Sequence, residues 1–574
     1  MKQVREEGST QLVKLDQSNF IASGGQAEVF GIGSKVYKIY TDPKFLIPKL
    51  KIQELSVLSE PYIIKPQKLV FDERDREVGY SAFRIPKNSH QLVQLYTKTF
   101  KADKKLDLNK CLEIVDFIRK GYLHIHKHNI LVVDGNENNF IVSEDFKIVY
   151  FLDVDSYKTK TFPPVAVMPS IQDYSATGSN NRYDATENTD WYSFGIVSFN
   201  LITNIHPFKG KYQPFEGSNI PKDERLFERM KQNISVFNPN VTYPKAQVLD
   251  FNLIPKSYRD WYEAVFDKGL RCKPPDSFTA SAQPLQPIKK AVSSVRFGIT
   301  DLLKIEPDTL VFYSPDFFIS ANAVYDSSFK HLMNNTDHYV GALYSPREQH
   351  VLLIQKDKHG ITIHNGSKTK NDLNIVCEDY QIIDNKIYIK RDDKYLEVVL
   401  MDTVSGLNFG EKLVSNVPPL STRTFKTVTM ANIFKTNYFY IVEGGKYYPS
   451  RIKELDDYKV INAFYQNHVL IVVGTKSGTY DKAIVKFAPD FQSYNVRIES
   501  DVDNVGINVA VLKNGVVAHV NDTVLEVFSN RVDKSQINNF VDRLISDTPL
   551  SLYTDGYRML AMMVDGTFAQ IKIL

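Results

Sequence analysis

The residues whose types and spacing are best suited to chemistry lie between positions 134 and 155. Asp134 and Asn139 are five residues apart within a polar run that follows Val132-Val133. Fourteen residues after Asn139, Asp153 and Asp155 end the apolar run that contains Phe151-Leu152. A carboxylate can orient a reacting hydroxyl group, and a hard cation that bridges phosphates prefers carboxylate and amide oxygens. The two motifs together predict a phosphate-handling site with a bound metal, although each alone is also compatible with an Asx-rich turn.

A second group of residues, near the N-terminus, could hold the phosphates. Gly24 and Gly25 lie between two short apolar runs, where missing side chains would let backbone amides approach phosphate oxygens. Val29 follows the tip of this turn and could cover an adenine ring. Lys38 lies nine residues further on, inside the apolar run Val36-Tyr37-Lys38-Ile39-Tyr40. A lysine there needs a negative partner, which phosphate oxygens would supply. A plain hairpin and a surface lysine on an edge strand are the structural alternatives.

Short strands and three helices are predicted to position these groups. Strands separated by glycine-containing turns are predicted for about residues 11–40. From Asn109 to His128 apolar residues recur at intervals of three and four, which is typical of an amphipathic helix. Residues 190–203 are apolar nearly all round, which indicates a helix buried within a domain. A third helix is predicted around residues 258–270.

The second half of the chain has a different pattern. Residues 273–287 contain four prolines among Ser, Thr, Ala and Gln, a composition typical of a linker. Beyond residue 293 nearly every segment is a short β-type run ended by a turn. Strands at such spacing without long helices predict a β-propeller or a large β-sandwich. Because paired runs recur about every 40 residues, a propeller of six or seven blades is favoured.

Taken in order along the chain, these motifs resemble the protein-kinase-like fold. The resemblance is greatest to its divergent bacterial and viral branch, whose catalytic loop reads Asp-x-Asn-x-x-Asn and whose metal motif reads Asp-x-Asp-Ser. It covers roughly residues 15–275, and Asp190-Trp191-Tyr192-Ser193-Phe194-Gly195 resembles the start of the buried large-lobe helix. The resemblance implies an α+β, two-lobed kinase-like domain at 1–275. Its lobes would be at about 10–88 and 89–275, followed by a linker at 276–292 and a propeller-like all-β domain at 293–574.

The resemblance also implies ATP and Mg²⁺ as cofactors and a role in nucleotide binding for several residues. Gly24, Gly25 and Val29 would cover the nucleotide. Lys38 would bind its α- and β-phosphates. Glu54, on the helix-like segment 49–59, is the candidate partner of Lys38, with the nearby Glu60 as the alternative.

The remaining implied roles belong to catalysis and metal binding. Asp134 would act as the catalytic base, and Asn139 and Asp153 would bind Mg²⁺. The usual Phe-Gly after the first aspartate of the metal motif is Val154-Asp155 here, so Asp153, Asp155 or both could reach the metal.

Two functions are compatible with this resemblance. The first is ATP- and Mg²⁺-dependent phosphoryl transfer to Ser or Thr of a protein, with the β domain docking the substrate or a partner. The second is a pseudokinase that acts as an interaction scaffold. Retention of Lys38 and the 134–155 motifs favours the first. The usual His-Arg before the catalytic aspartate is Val132-Val133, and Met168-Pro169-Ser170 stands where Ala-Pro-Glu is expected, which favours the second.

Two weaker metal or nucleotide hypotheses concern the same region. His124 and His128 would share one helix face, as metal ligands can, but surface histidines are the commoner case. Asp153-Val154-Asp155 is also similar to the Asp-x-Asp of nucleotide-sugar transferases. That interpretation explains neither Lys38 nor the pair Asp134 and Asn139.

Composition excludes several other classes of protein. The 70 basic and 67 acidic residues nearly cancel, so no specific nucleic-acid partner is expected. The strongly apolar stretches stay under ten residues, whereas a membrane-spanning helix needs roughly 20. The 3 cysteines form no CxxC pair, which argues against a disulfide framework and a cysteine zinc site. A cytoplasmic protein is therefore expected, in the host cytoplasm if the chain is viral, with a protein partner and no membrane association.

Overall fold

The computed structural model describes residues 2–177, 183–278, 294–305, 310–346, 350–365, 372–403, 406–476, 478–548, 550–563 and 565–574. Their contacts divide the chain into two compact units. The first contains the residues up to Leu285 together with Gly474–Asp481 and Glu499–Gly506, and the second contains the rest. The sequence-based boundaries stay a prediction, and the expected linker lies outside the described residues from position 279 onwards.

The first unit begins with a seven-stranded antiparallel sheet in the order β2-β1-β6-β7-β5-β4-β3. Its strands are β1 (Lys2–Glu6), β2 (Val13–Leu15), β3 (Phe20–Ser23), β4 (Ala27–Ile32), β5 (Lys35–Tyr40), β6 (Lys68–Asp72) and β7 (Glu77–Phe83). Side chains alternate between the faces of a strand. Tyr37 and Ile39 of β5 therefore join the apolar cluster on one face, and Lys38 and Tyr40 lie on the other.

One glycine of this sheet is required by the closeness of two strands. A Cβ atom built on Gly79 of β7 would lie 1.9 Å from the carbonyl oxygen of Lys38. Any side chain at this position would push β7 away from β5, so Gly79 fixes the spacing of the strands that carry Lys38 and Tyr80.

The rest of the first unit is mainly helical. A helix, α1 (Lys49–Leu55), lies between β5 and β6, and a small sheet is formed by β8 (His90–Gln91), β9 (Phe140–Val142) and β10 (Val149–Phe151). The other elements are α2 (Lys98–Asp103), α3 (Leu108–Lys127), α4 (Glu187–Thr203), β11 (Lys211–Tyr212), α5 (Arg225–Gln232), β12 (Val241–Thr242) and α6 (Lys256–Phe266). The three predicted helices correspond to α3, α4 and α6, and α4 is buried along most of its length.

Two segments from late in the chain complete this first unit. The Tyr480 hydroxyl is hydrogen-bonded to the carboxylate of Glu137, in the turn before β9. The Lys209 ammonium forms an ion pair with Asp501 and donates to its carbonyl oxygen at 2.8 Å. The side chains of Lys209 and Asp501 are 10% and 8% exposed, so this ion pair is buried.

Within the described residues from 297 to 573, the chain forms seven four-stranded antiparallel sheets. Six of them use strands that follow one another: β14–β17, β18–β21, β22–β25, β26–β29, β30–β33 and β34–β37. The seventh has the order β13-β40-β39-β38, so the first strand of this region pairs with the last.

The bounds of these strands are as follows. They are β13 (Phe297–Lys304), β14 (Leu310–Tyr313), β15 (Phe317–Ser320), β16 (Ala323–Asp326), β17 (His331–Asn334), β18 (Gly341–Tyr344), β19 (Val351–Lys356), β20 (Gly360–Asn365), β21 (Leu373–Val376), β22 (Asp379–Ile383), β23 (Lys386–Arg391), β24 (Lys394–Thr403), β25 (Gly406–Asn416), β26 (Thr422–Thr424), β27 (Thr429–Ile433), β28 (Thr436–Glu443), β29 (Lys446–Arg451), β30 (Lys459–Gln466), β31 (Val469–Thr475), β32 (Tyr480–Phe487), β33 (Tyr494–Glu499), β34 (Val509–Val511), β35 (Val516–Asn521), β36 (Val524–Ser529), β37 (Ile537–Val541), β38 (Leu550–Thr554), β39 (Met559–Met563) and β40 (Thr567–Ile573). A short helix, α7 (Arg543–Asp547), precedes β38.

Apolar clusters join each of these sheets to the next. One cluster, for example, contains Ile319 of β15 and Leu353 of β19, and another contains Leu352 of β19 and Ile387 of β23. The series continues through the later sheets. A last cluster joins Phe568 of β40 to Phe318 of β15. Each described sheet therefore packs against the one before and the one after it, and the last packs against the first.

No helix in the described part of the chain is both long enough and apolar enough to span a lipid bilayer.

Candidate functional site

Lys38 and the two aspartates of the Asp-x-Asp motif meet in the first unit. The Lys38 ammonium donates to Oδ1 of Asp153 at 2.6 Å and to the two carboxylate oxygens of Asp155 at 3.0 and 2.8 Å. The Lys38 side chain is 15% exposed and that of Asp155 is 9% exposed, whereas that of Asp153 is 39% exposed. Lys38 thus has one buried carboxylate partner and one partner open to solvent.

Two tyrosines complete the environment of Asp155. Tyr40 donates its hydroxyl to Oδ2 of Asp155 at 2.7 Å, and Tyr80 donates to Oδ1 at 2.7 Å. The Lys38 ammonium is 5.7 Å from the centre of each tyrosine ring. Burial alone would raise the pKa of Asp155, but Lys38 and the two hydroxyls outweigh it and lower that pKa. Burial acts to lower the pKa of Lys38, and the charges of Asp155 and Asp153 outweigh it, so that this pKa is raised.

The arrangement of these groups follows from strand register. Lys38 of β5 is paired with Tyr80 of β7 on one side and with Val29 of β4 on the other. Directly paired residues of antiparallel strands point to the same face of a sheet. Tyr40 lies two residues after Lys38 and so shares that face. One face of the sheet therefore carries the lysine, both tyrosines and Val29.

Glu54 is placed differently from the expectation. Lys51, Ile52 and Leu55 form the buried face of α1. Glu54 lies beside this face, where its carboxylate accepts hydrogen bonds from the hydroxyl of Thr161 and, at 3.4 Å, from its backbone amide. The ion-pair partners of Lys38 are Asp153 and Asp155 instead, because the turn after β10 brings both carboxylates to the ammonium.

Asp134 and Asn139 are brought together by hydrogen bonds within their own loop. The Asn139 side-chain amide donates to the carbonyl oxygen of Asp134 at 2.8 Å. The Asn136 side chain accepts from the amide of Asn138 at 2.9 Å and starts a short turn. The backbone amide of Leu152 donates to the carbonyl oxygen of Asn139 at 2.8 Å. Asn139 is therefore fixed next to the strand end that carries Asp153.

The pKa of the Asp134 carboxyl group is raised above its usual value. Burial raises its pKa to about 6, although hydrogen bonds from the Met168 backbone amide and from Asn136 act in the opposite direction. The Met168 amide donates to Oδ1 of Asp134 at 2.8 Å. A carboxylate with such a pKa can accept a proton from a substrate near pH 7, which is the property required of a general base.

Asp190, at the start of the buried helix α4, has a structural role that the sequence analysis did not identify. Its carboxylate accepts from the backbone amides of Val132 and Val133 and from a ring nitrogen of His126, each at 2.8 Å. Val133 adopts a positive φ of 64°, an unusual conformation for a β-branched residue. Asp190 thus holds the backbone just before Asp134. An aspartate in an otherwise apolar buried helix was the available signal, because a buried carboxylate needs partners.

The predicted glycine turn lies between β3 and β4. The amide of Gly24 donates to the carbonyl oxygen of Ala27 at 2.8 Å and closes the turn. Gly24 and Gly25 are exposed, and a Cβ atom on either would meet no atom within 4 Å. The turn thus has open space around it.

The donor set around Asn139 and Asp153 fits a magnesium ion. Hydrogen bonding uses the side-chain nitrogen of Asn139 and leaves its amide oxygen available, and Asp153 contributes a carboxylate that is partly exposed. Both are oxygen donors, as Mg²⁺ prefers. Both oxygens of Asp155 already accept from Lys38, Tyr40 and Tyr80, which sets this residue apart from Asp153. Among the residues that the structure describes, no cluster of three or more His, Cys, Asp or Glu could hold a metal.

Comparison with known proteins shows similarity to a protein kinase. No protein-family profile matches the chain. The chain is 24% identical over 223 residues to the protein kinase YegI of Escherichia coli (strain K12), a stretch covering 33% of this chain and 32% of that protein. This chain therefore matches about a third of the length of its curated relative. The similarity supports a kinase-like fold.

Among solved structures, the kinase PK-1 of the Cydia pomonella granulovirus is similar, with a TM-score of 0.31 and 16% identity. That match covers 44% of this chain and 88% of the viral kinase.

Proposed function

We propose that this chain is an ATP- and Mg²⁺-dependent protein kinase that phosphorylates Ser or Thr of a protein substrate. The observation that supports this most is the grouping of Asp134, with its pKa of about 6, Asn139, Asp153 and the partly buried Lys38. These are the groups that phosphoryl transfer needs for proton acceptance, metal binding and phosphate positioning. The sequence similarity to a protein kinase agrees with phosphoryl transfer in general terms.

In this proposal the chain's own residues each act on one part of the reaction. Lys38 binds the α- and β-phosphates, while Gly24, Gly25 and Val29 cover the nucleotide. Asp134 orients the substrate hydroxyl and accepts its proton as the hydroxyl oxygen forms a bond to the γ-phosphorus, and ADP leaves.

Asp155 has a different role from Asp153 in this proposal. Asn139 and Asp153 would hold a magnesium ion, which would neutralise phosphate charge. The carboxylate of Asp155 is saturated by Lys38, Tyr40 and Tyr80, so we assign it to positioning Lys38 and not to the metal.

The later half of the chain is proposed to be a seven-bladed β-propeller that docks the protein substrate or a partner. Seven four-stranded sheets, packed in series with the last against the first, support this architecture. The pairing of β13 with β40 supports it further, because it joins the two ends of the series in one sheet. A docking surface would raise the local concentration of the substrate without changing the chemistry.

The proposed compartment is the cytoplasm. Cys111, Cys272 and Cys377 are all free thiols in the structure, as is usual in a reducing compartment.

A catalytically inactive scaffold is the second candidate function. Oδ1 of Asp134 accepts a hydrogen bond from the backbone amide of Met168, so one oxygen of the proposed base is already occupied. Val132-Val133 in place of His-Arg favours the same alternative.

Incubation with γ-labelled ATP, Mg²⁺ and casein as a generic substrate separates the two functions. A kinase transfers label to casein or to itself, and Asp134→Asn lowers the rate of transfer by about 10² to 10⁴ while MgATP still raises the melting temperature. Saturating ligand, at about 100 times its Kd, adds roughly 2.7 kcal/mol to the free energy of unfolding. If the protein transfers no label, and if ATP gives the same melting curve with Mg²⁺ as with EDTA, the scaffold is the correct function.

A further inference from the structure

Lys51 is a buried cation on the helix next to the candidate site. It belongs to α1, and its residue is only 4% exposed. With Ile52 and Leu55 it forms the face of α1 that is turned into the protein. The helix contacts the Val154–Ser156 turn, which carries the second aspartate of the Asp-x-Asp motif.

The Lys51 ammonium has no hydrogen bond or ion pair at contact distance within the described part of the chain. Its Nζ lies 5.9 Å from the centre of the Phe162 ring. Burial lowers the pKa of Lys51, and the nearby charges of Asp155 and Asp153 only partly oppose this effect. A largely buried ammonium in this state is stabilised by an anion that reaches it.

The two carboxylates whose charges act most strongly on Lys51, those of Asp155 and Asp153, already bind other groups. Asp155 already accepts two hydrogen bonds from Lys38 and one from each tyrosine. Oδ1 of Asp153 accepts a hydrogen bond from Lys38, and the proposed function assigns the Asp153 carboxylate to the metal. The anion that suits Lys51 is therefore one that comes from outside the chain.

We propose that Lys51 is a second cation that contacts the phosphates of ATP, acting together with Lys38. This inference rests on the proposed function. A nucleoside triphosphate carries more negative charge than one divalent cation neutralises. Around the site, Lys38 alone faces two carboxylates, so the triphosphate would add to an excess of negative charge. With Lys51 included, the two lysines balance the charges of Asp153 and Asp155, so the phosphates meet one unbalanced negative charge fewer.

The test measures the affinity of full-length variants for MgATP and for adenosine by titration calorimetry. Lys51→Met removes the ammonium and keeps a long apolar stem against Phe162. We expect it to weaken MgATP binding by about tenfold or more, because hydrogen bonds to charged groups typically have that effect. Adenosine, which has no phosphate, should bind both proteins equally. Lys51→Arg keeps the charge and should restore most of the MgATP affinity.

Lys49→Met is the matched control. Lys49 lies on the same helix, but its side chain is 59% exposed and forms an ion pair with Glu7. This variant loses the same charge from α1 without altering the buried face, so its affinity for MgATP should equal that of the wild type.

Two results would overturn the inference. One is an Lys51→Met protein that binds MgATP within twofold of the wild type. The other is a variant that loses MgATP and adenosine in the same proportion, which would show that Lys51 maintains the shape of the site. A wild-type protein that binds no MgATP would reject the proposed function together with this inference.

Discussion

Replacing Asp155 by asparagine tests the central ion pair of the candidate site. Asparagine has nearly the same shape as aspartate but no charge, and its amino group would face donors that now bind a carboxylate. Lys38, Tyr40 and Tyr80 together donate four hydrogen bonds to Asp155, whose side chain is 9% exposed. We therefore expect Asp155→Asn to destabilise the first unit.

The size of the effect follows from burial. Removing one partner of a buried ion pair typically costs about 3–5 kcal/mol, because an uncompensated charge remains. Lys38 retains Asp153 at 2.6 Å, but that side chain is 39% exposed, so solvent screens its charge. We expect a loss at the lower end, about 3 kcal/mol. For a domain of this size the corresponding fall in melting temperature is about 6–12 °C.

The dependence of this difference on pH has a definite sign. The pKa of Asp155 is lower in the folded protein than in the unfolded chain, where it is about 4. Its contribution to stability is thus complete above pH 4 and disappears as the pH falls through the folded-state pKa. The gap in melting temperature between wild type and Asp155→Asn should be widest at pH 7 and should narrow below pH 4.

Scanning calorimetry without nucleotide measures the effect, and Glu54→Gln is the control. Glu54 was the expected partner of Lys38, whereas the structure pairs its carboxylate with Thr161 near the surface. Glu54→Gln should melt close to the wild type. The assignment of Asp155 as the partner of Lys38 would be refuted if Asp155→Asn melted within 2 °C of the wild type at pH 7. It would also be refuted if Glu54→Gln lowered the melting temperature more than Asp155→Asn does.

Three further predictions concern other parts of the first unit. Asp134→Asn should lower phosphoryl transfer by about 10² to 10⁴. It should also raise the melting temperature at pH 7 but not below pH 4, because the raised pKa means that ionisation of the buried carboxyl costs about 3 kcal/mol. Asp190→Asn should destabilise the unit by about 1–3 kcal/mol in denaturant titrations, since asparagine keeps only one acceptor oxygen and leaves one of the two buried loop amides without a partner. A fragment that ends at residue 285 should melt below the first transition of the full chain, because Lys209 loses Asp501; equal melting temperatures would contradict this.

The sequence was sufficient for those parts of the site that are local in the chain. Asp134 and Asn139 are joined by a hydrogen bond across five residues, and the next contact, from Leu152 to Asn139, spans a single hairpin. The spacing of polar residues after an apolar run is informative over such short distances, because a short loop has few ways to form hydrogen bonds with its own backbone groups. The helix that precedes the loop was predicted to within one residue at each end for the same reason: its periodicity is a local property.

The partner of Lys38 could not be obtained in this way. The ion pair joins residues 117 positions apart, and the sequence analysis expected a carboxylate on α1 as the partner. The register of β5 and β7 favours Asp155 instead, because it places Tyr40 and Tyr80 where both donate to the Asp155 carboxylate. Nothing in the sequence distinguishes these two tyrosines from the other 30 of the chain's 32.

The same limit applied to the later half of the chain. Turn residues reveal hairpins, so the repeated strand pairs were visible in the sequence. The assignment of β13 to the sheet of β38–β40 depends instead on pairing across more than 260 residues, from Thr300 to Gln570, for example. Local signals give the number of strands but not which strands share a sheet. The count of seven sheets therefore required the structure.

The position of the lysine's partner has a mechanical consequence. An ion pair between Lys38 and a carboxylate of α1 would break whenever that helix moved away from the sheet. Asp155 instead follows β10, and Tyr40 and Tyr80 of the sheet bind the same carboxylate. None of the four hydrogen bonds to Asp155 comes from α1, so Lys38 is held by its partner through groups of the sheet and of the turn after β10.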